Sequence, residues 1–314
     1  MARKRYFNLD DVPHTKSIKH FQRWRKERRQ KQKDFSFSVP HTDRVALEYL
    51  YSNKKDTTIT WIGHSTFFIQ SGGLNILTDP VWARRMGLDK RLTDPGIPLG
   101  QMPAIDVVVI SHSHYDHLNF TTLRKLKGNP LYLVPEGLKQ KMIKKGFPSV
   151  MELNWWSSHR IGDVEFTIVP AQHWTKRTIR DTNTSHWGGW LIDNAAFAKQ
   201  ANTEKQVIYF VGDTGYFRGF KEIGKRFSID YALVPIGAYE PEWFMAPQHV
   251  NPEQAVQAFL DTQAKYFIPM HYGTFRLADD TPIEALERLD REWRRLGLGI
   301  DRLKKLKLGE TITC

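Results

Sequence analysis

From about residue 57 the chain breaks into short apolar runs, rich in β-branched and aromatic residues and closed by Gly, Pro, Asn or Asp. The early ones are TTITWIG (57–63), STFFIQS (65–71), LNILTDP (74–80), DVVVISH (106–112) and PLYLVP (130–135). The later ones are EFTIVPAQH (165–173), GGWLIDN (188–194), QVIYFVGD (206–213), YALVPIG (231–237) and KYFIPMH (265–271). Runs of this kind predict strands. Helical segments lie between and after them: NFTTLRKLKG, EGLKQKMIKKG, NPEQAVQAFLDTQ and TPIEALERLDREWRRLG. Asn251 followed by Pro252 predicts one helix start, and Thr281 with Glu284 predicts a capping box at another. Gly63 and the pair Gly72-Gly73 predict hairpins among the early strands, whereas the later strands alternate with helices. That mixture predicts an α/β fold of αββα type, two packed mixed β-sheets with helices on the outer faces, rather than one parallel sheet.

Residues 1–50 read differently, as a basic N-terminal extension with a short helix ahead of one main domain over 51–314. The stretch VPHTKSIKHFQRWRKERRQKQKD predicts the helix, with Pro13 in its first turn and Ile18, Phe21 and Trp24 on one face. Residues 1–40 carry a net +8 of the chain's +12, so the basicity points to an anionic surface near this segment rather than to an anionic active site. Three readings stay open: a solvated helix pinned to the body by those three residues, peripheral contact of residues 1–33 with an anionic membrane, and contact with nucleic acid. For the second, each Lys or Arg near an anionic leaflet contributes about 1 kcal/mol. No run approaches the ~20 apolar residues that span a bilayer, and the N-terminus lacks the apolar core of a secretory signal. The expectation is a cytoplasmic protein, peripheral to the membrane if the arm adsorbs. Assembly as a homodimer is left open.

The single cysteine, Cys314, excludes disulfides and an internal thiolate ligand, so any metal must be held by nitrogen and oxygen. Candidate ligands are concentrated in SHSHYDH (111–117), where three of the 12 histidines and one carboxylate fall within six positions. His112 and His114 stand two apart at the end of DVVVI, so both rings can converge as the strand turns into a loop. Asp116 and His117 follow too closely to join the same ion easily, and two adjacent metals relieve that crowding. His173, Asp213 and His271 each close another apolar strand. Gly212 and Gly215 flank Asp213 and allow a close turn. Strand ends that each deliver His or Asp predict a metal site rather than a set of structural histidines.

This HxHxDH run, followed by a distant His, Asp and His, resembles the metallo-β-lactamase fold superfamily over residues 57–275. The resemblance implies one metal on His112, His114 and His173, a second on Asp116, His117 and His271, and Asp213 bridging both. Zinc is favoured for such a set, with manganese or iron as alternatives. It also implies that Asp79 is the carboxylate that orients a ligand histidine; the alternative for Asp79 is an Asx-type turn before Pro80.

The flanking segments TWIGHSTFFIQSGGLNILTDPVW, PAQHWTKRTIRDTN, VGDTGYF, EIGKRF, PIGAYEPEWFMAPQHVNPEQAVQAF and HYGTF resemble the N-acyl-phosphatidylethanolamine-hydrolysing phospholipase D family. That resemblance implies attack of a metal-bridging hydroxide on phosphorus in a phospholipid diester, releasing N-acylethanolamine and phosphatidic acid, with Asp116 and Asp79 in the catalytic set. His249 is a candidate for phosphate contact or proton donation, or else belongs to the start of the following helix. His64 either lines the site or serves a turn. Tyr239, Trp243, Phe244 and Met245 line an acyl-chain groove or belong to the core, and so do Asn154, Trp155 and Trp156. His14, His20, His41, His159 and His186 carry no spacing argument. A lactonase with the same ligand scheme is the alternative activity. A nuclease would use the basic arm, yet no additional phosphate-binding His/Lys motif accompanies it, so a nucleic-acid partner is not expected.

Overall fold

Phe67 and Ile69 leave their strand on one side and Phe68 on the other, and the two sets end in different cores. This period-two division organises a computed structural model that describes residues 4–12, 17–87 and 89–314. Pro13 and His14 lie outside the described residues. The first sheet opens with antiparallel β1 (Thr58–Gly63), β2 (Thr66–Ser71) and β3 (Leu74–Thr78). A small hairpin of β4 (Arg85–Met86) and β5 (Asp89–Lys90) follows. Then β6 (Val107–Val109), β7 (Leu131–Pro135) and β8 (Val150–Leu153) extend the sheet from β3, all parallel. The second sheet contains antiparallel β9 (Ser158–Ile161), β10 (Val164–Val169), β11 (Gly189–Asp193) and β12 (Val207–Phe210), with β13 (Tyr231–Pro235) and β14 (Tyr266–Met270) added in parallel. Finally β15 (Thr311–Thr313) returns to pair with β1.

The helices are α1 (Ile18–Gln30), α2 (Leu47–Ser52), α3 (Phe120–Leu123), α4 (Lys139–Lys144), α5 (Ala195–Ala201), α6 (Gly219–Arg226), α7 (Glu242–Met245), α8 (Pro252–Asp261) and α9 (Pro282–Arg295). Between the sheets, Ile59, Phe67, Ile69, Val107 and Val109 meet Phe166, Ile168 and Trp190. On the outer face of the first sheet, Phe68, Val108 and Ile110 pack with Leu50 of α2, Leu123 of α3 and Met142 of α4. Trp293 of α9 covers the second sheet, its ring 5.6 Å from Phe267 and 5.3 Å from Phe259 of α8. The result is the expected αββα sandwich. Both expected helix starts form capping boxes, Asn251 with Gln254 and Thr281 with Glu284.

Some elements depart from the pattern. NFTTLRKLKG gives only one helical turn, because the chain bends back and the Lys127 carbonyl accepts the Ile105 N–H at 2.9 Å. Strands β8, β9 and β15 have no clean apolar run and exist through pairing: β8 and β9 at sheet edges, and β15 against β1. Helix α1 begins at Ser17, whose side chain accepts from the His20 N–H.

Candidate metal centre

All the sequence-singled ligands leave the carboxyl ends of strands at one end of the sandwich. His64 follows β1, Asp79 follows β3, and His112 to His117 follow β6. From the other sheet, His173 follows β10, Asp213 follows β12 and His271 follows β14. The turns are tight enough to force unusual backbone: His64, Asp79 and His271 sit at φ 56°, 33° and 62°. Non-glycine residues held there carry strain that concentrates at functional sites. Gly212 is required at φ 69°, since a Cβ would come within 2.8 Å of Ser111 Cβ.

His112, His114 and His173 form one group. His112 Nε2 lies 2.9 Å from His114 Nδ1, which lies 3.2 Å from His173 Nε2. A second group joins His64, Asp116, His117 and His271. There His117 Nε2 is 3.3 Å from His271 Nε2 and 3.4 Å from Asp116 Oδ2. Asp213 stands between the groups, with Oδ2 3.2 Å from His117 Nε2 and 3.9 Å from both His112 Nε2 and His173 Nε2. Its Oδ1 lies 3.1 Å from His271 Nε2.

These spacings fit a cation. Nitrogens bound at about 2.0–2.1 Å in a tetrahedron stand about 3.3 Å apart, close to what the imidazoles show. His249 Nδ1 and His271 Nδ1 are buried without a hydrogen-bond partner among the described residues. Outer partners fix the rings. His117 Nδ1 donates to Asp79 Oδ2 at 2.6 Å, and His173 Nδ1 lies 3.0 Å from the Gln248 carbonyl. Asp79 also accepts from the Ser111 N–H at 2.7 Å and from the Ser111 hydroxyl. Its carboxylate therefore serves the centre rather than an Asx-type turn.

Electrostatics sorts the cluster. Burial pushes His112 and His173 well below the ordinary histidine range, and His114 and His249 down to about 4. Burial and the neighbouring His271 hold His64 at about 3. Neutral imidazoles are the forms that bind metal. Burial opposes charge on His117 and His271 as well. Asp213 and Asp116 nevertheless outweigh it, raising His271 to about 9 and His117 well above its usual value. The same imidazoles hold both carboxylates well below theirs, against burial. The carboxylates thus demand positive charge at this spot, which a divalent cation supplies in place of the protons.

A cavity of about 330 Å³ opens beside the first group, lined by His114, His249, Phe244, Met245, Trp174 and Lys176, with Phe21 and Trp24 of α1 completing it. His249, Phe244 and Met245 thus line a cavity next to the ligand cluster. Tyr239 and Trp243 do not line it: Tyr239 is buried beneath Arg288, and Trp243 turns outward against Arg23 and Glu27. His64 does not line the cavity either: it is 1% exposed, with Nε2 3.1 Å from Asp116 Oδ2, and lies within the ligand cluster itself. Trp155 donates to the Trp187 carbonyl and Trp156 packs under Arg226, so neither forms a groove. Sequence reasoning missed Trp174, Lys176, Ser111 and Gln248. Adjacency to His173, His112 and His249 was the available signal. It also missed Asn8, whose Oδ1 accepts from the His173 N–H at 2.9 Å across a long sequence separation.

Residues 74–272 match the model of a beta-lactamase superfamily domain. The chain is 33% identical over 265 residues to the mitochondrial N-acyl-phosphatidylethanolamine-hydrolyzing phospholipase D of Saccharomyces cerevisiae, covering 79% of this chain and 55% of that protein. It is 37% identical over 235 residues to N-acyl-phosphatidylethanolamine-hydrolyzing phospholipase D 1 of Caenorhabditis elegans, covering 69% and 64%. The match thus spans less than two thirds of either relative. Among solved structures, Igni18, a metallo hydrolase from Ignicoccus hospitalis, superposes with a TM-score of 0.62 at 22% identity, over 82% of this chain and 98% of that one.

Proposed function

We propose that this chain, which belongs to the metallo-β-lactamase superfamily, is a metal-dependent hydrolase and, more narrowly, a dinuclear phosphodiesterase of phospholipase D type. The substrate in this reading is an N-acyl-phosphatidylethanolamine-like phospholipid, cleaved to N-acylethanolamine and phosphatidic acid. Its main support is the continuity between the His/Asp cluster and an apolar cavity that has one lysine in its wall. A phosphodiester with a hydrocarbon arm matches that combination. The phosphate meets Lys176 and the cluster, and the arm lies among Phe244, Met245 and Trp174.

In this reading His112, His114 and His173 hold one ion, Asp116, His117 and His271 hold the other, and Asp213 serves both. Zinc is the favoured metal for a nitrogen and oxygen donor set of this size. Two divalent ions here would lower the pKa of water and neutralise charge on the phosphoryl oxygens. The chain's own residues do the rest. Asp79 holds His117 in one tautomer, and Gln248 does the same for His173. His249 faces the cavity, with Nδ1 3.9 Å from Asp213 Oδ2 and no hydrogen-bond partner among the described residues. It is the group able to exchange a proton with the departing alkoxide. The apolar walls keep bulk water from the bond being broken.

Among the described residues no helix is long and apolar enough to cross a membrane. Lys19, Arg25, Lys26 and Arg29 of α1 are exposed, and in this reading they provide peripheral contact with an anionic leaflet. The test is to incubate purified protein with N-acyl-phosphatidylethanolamine and with a lactone panel, each with and without chelator. Chelator-sensitive release of N-acylethanolamine is the expected result. Turnover of lactones alone overturns the reading.

A further inference from the structure

Helix α1 comes from the basic N-terminal segment, far in sequence from every candidate ligand, yet two of its side chains finish the wall of the cavity beside the centre. Trp24 stacks on Phe244 with ring centroids 5.2 Å apart at 22°, and Phe21 meets both edge-on, at 5.7 Å and 5.5 Å. Phe21 and Trp24 line the same cavity as His114 and His249. We infer that Trp24 is a specificity-determining residue, selecting an amphiphile whose single apolar arm lies against its indole while its anionic end reaches Lys176 and the centre. The identity of the headgroup rests on the function proposed above; the role of Trp24 does not.

The position of Trp24 is set from outside the helix. Asp279, only 1% exposed, accepts from the Trp24 Nε1–H at 3.0 Å. The same carboxylate faces Arg28 Nε at 3.4 Å and Lys31 Nζ at 3.4 Å, one and two turns further along α1 or just past it. Lys33 continues the seam to Glu240 at 2.9 Å and Glu284 at 2.6 Å. A buried carboxylate is retained where cations and donors surround it, and here Trp24, Arg28 and Lys31 of the N-terminal segment supply them, with the charge of Arg276 nearby. Asp279 is therefore a positioning residue for Trp24. The basic residues of this segment divide accordingly: Arg28, Lys31 and Lys33 bind the body, whereas Lys19, Arg25, Lys26 and Arg29 point away.

The occupant follows from the lining. Aromatic and thioether side chains favour a hydrocarbon or flat apolar group. Lys176 and the adjoining cluster favour an anion at one end. A cavity of about 330 Å³ falls at the small end of ligand pockets, which suits one arm rather than two.

The experiment uses the full chain and 11-(dansylamino)undecanoate, a fluorescent acid with one apolar arm. Trp24→Ala is expected to weaken probe binding about tenfold to a hundredfold, and Trp24→Phe to restore most of it. Asp279→Ala is expected to weaken binding similarly. Asp279→Asn, which keeps an acceptor for the indole, is expected to restore part. Lys221→Ala, at an exposed position of α6 outside the cavity and the N-terminal segment, is expected to bind as the parent does. Metal content measured on every variant reports whether the body has folded. Against N-acyl-phosphatidylethanolamines of graded N-acyl length, Trp24→Ala is expected to flatten the length preference through KM more than through kcat. Probe binding that ignores Trp24→Ala, or falls equally in Lys221→Ala, overturns the inference even if the phospholipid is hydrolysed. Trp24-dependent probe binding without phospholipid hydrolysis supports the inference while removing the proposed function.

Discussion

The Asp79 carboxylate accepts from His117 Nδ1 at 2.6 Å, and neither side chain has exposed surface. The pair fixes which imidazole nitrogen faces the centre: Nε2 is turned toward Asp213, Asp116 and His271. In Asp79→Asn the amide can present its own N–H to Nδ1, which favours the wrong tautomer. Outer partners of this kind contribute about 10–100-fold in metal affinity. The expected result is a loss of that size in zinc affinity, measured by competition with a chromophoric chelator. Unchanged affinity would show that His117 is oriented by packing alone.

Asp213 touches both histidine groups, so its removal acts on the whole centre. Asp213→Asn is expected to lower bound metal by about one ion per chain and to depress turnover by more than the ~10–100-fold typical of losing an outer partner. Elemental analysis beside a turnover assay checks this. Near-normal values for both would sink the assignment of Asp213 as the shared ligand.

His249 offers a different signature. It reaches the cavity and lies 3.9 Å from Asp213, but the two groups at the core of the centre form without it. His249→Gln is expected to keep its metal while kcat falls about 10²–10⁴-fold, the range for a lost proton-transfer group. A fall in metal content that parallels the fall in kcat would assign His249 to ion binding instead.

The layout of the centre was legible because each ligand ends an apolar strand, and the carboxyl ends of parallel strands across two packed sheets share one rim. His112, His114, His173, Asp213 and His271 meet for that reason. The walls of the cavity were less legible. Phe21 and Trp24 show a helical stripe, but a stripe records only that something is covered, not what. Trp243 and Phe244 are neighbours in sequence, and the short helix α7 sends one outward and the other inward. Asn8 supports His173 through a single contact between remote segments, and local pattern carries no trace of such a pairing. Strands β8, β9 and β15 were missed for a related reason, since partners supplied by the fold override weak local preference.

His186 gives a pH test of the fold away from the ligand set. Its ring stacks on Tyr6 at 4.7 Å and packs against Trp155 at 4.0 Å, and its Nδ1 has no hydrogen-bond partner among the described residues. Burial, with a smaller contribution from Lys4, lowers its pKa from the usual 6.5 to about 3. The unfolded chain therefore binds a proton at His186 between these values while the folded chain does not. This contribution to stability is complete above pH 6.5 and is lost as pH falls toward 3, with a slope of at most about 1.4 kcal/mol per pH unit. His186→Phe keeps an aromatic ring in the stack and removes the titration. Denaturant unfolding of parent and variant from pH 7 to pH 4 should show the parent losing stability faster. A constant difference across that range would mean that His186 is free to take up its proton in the folded state.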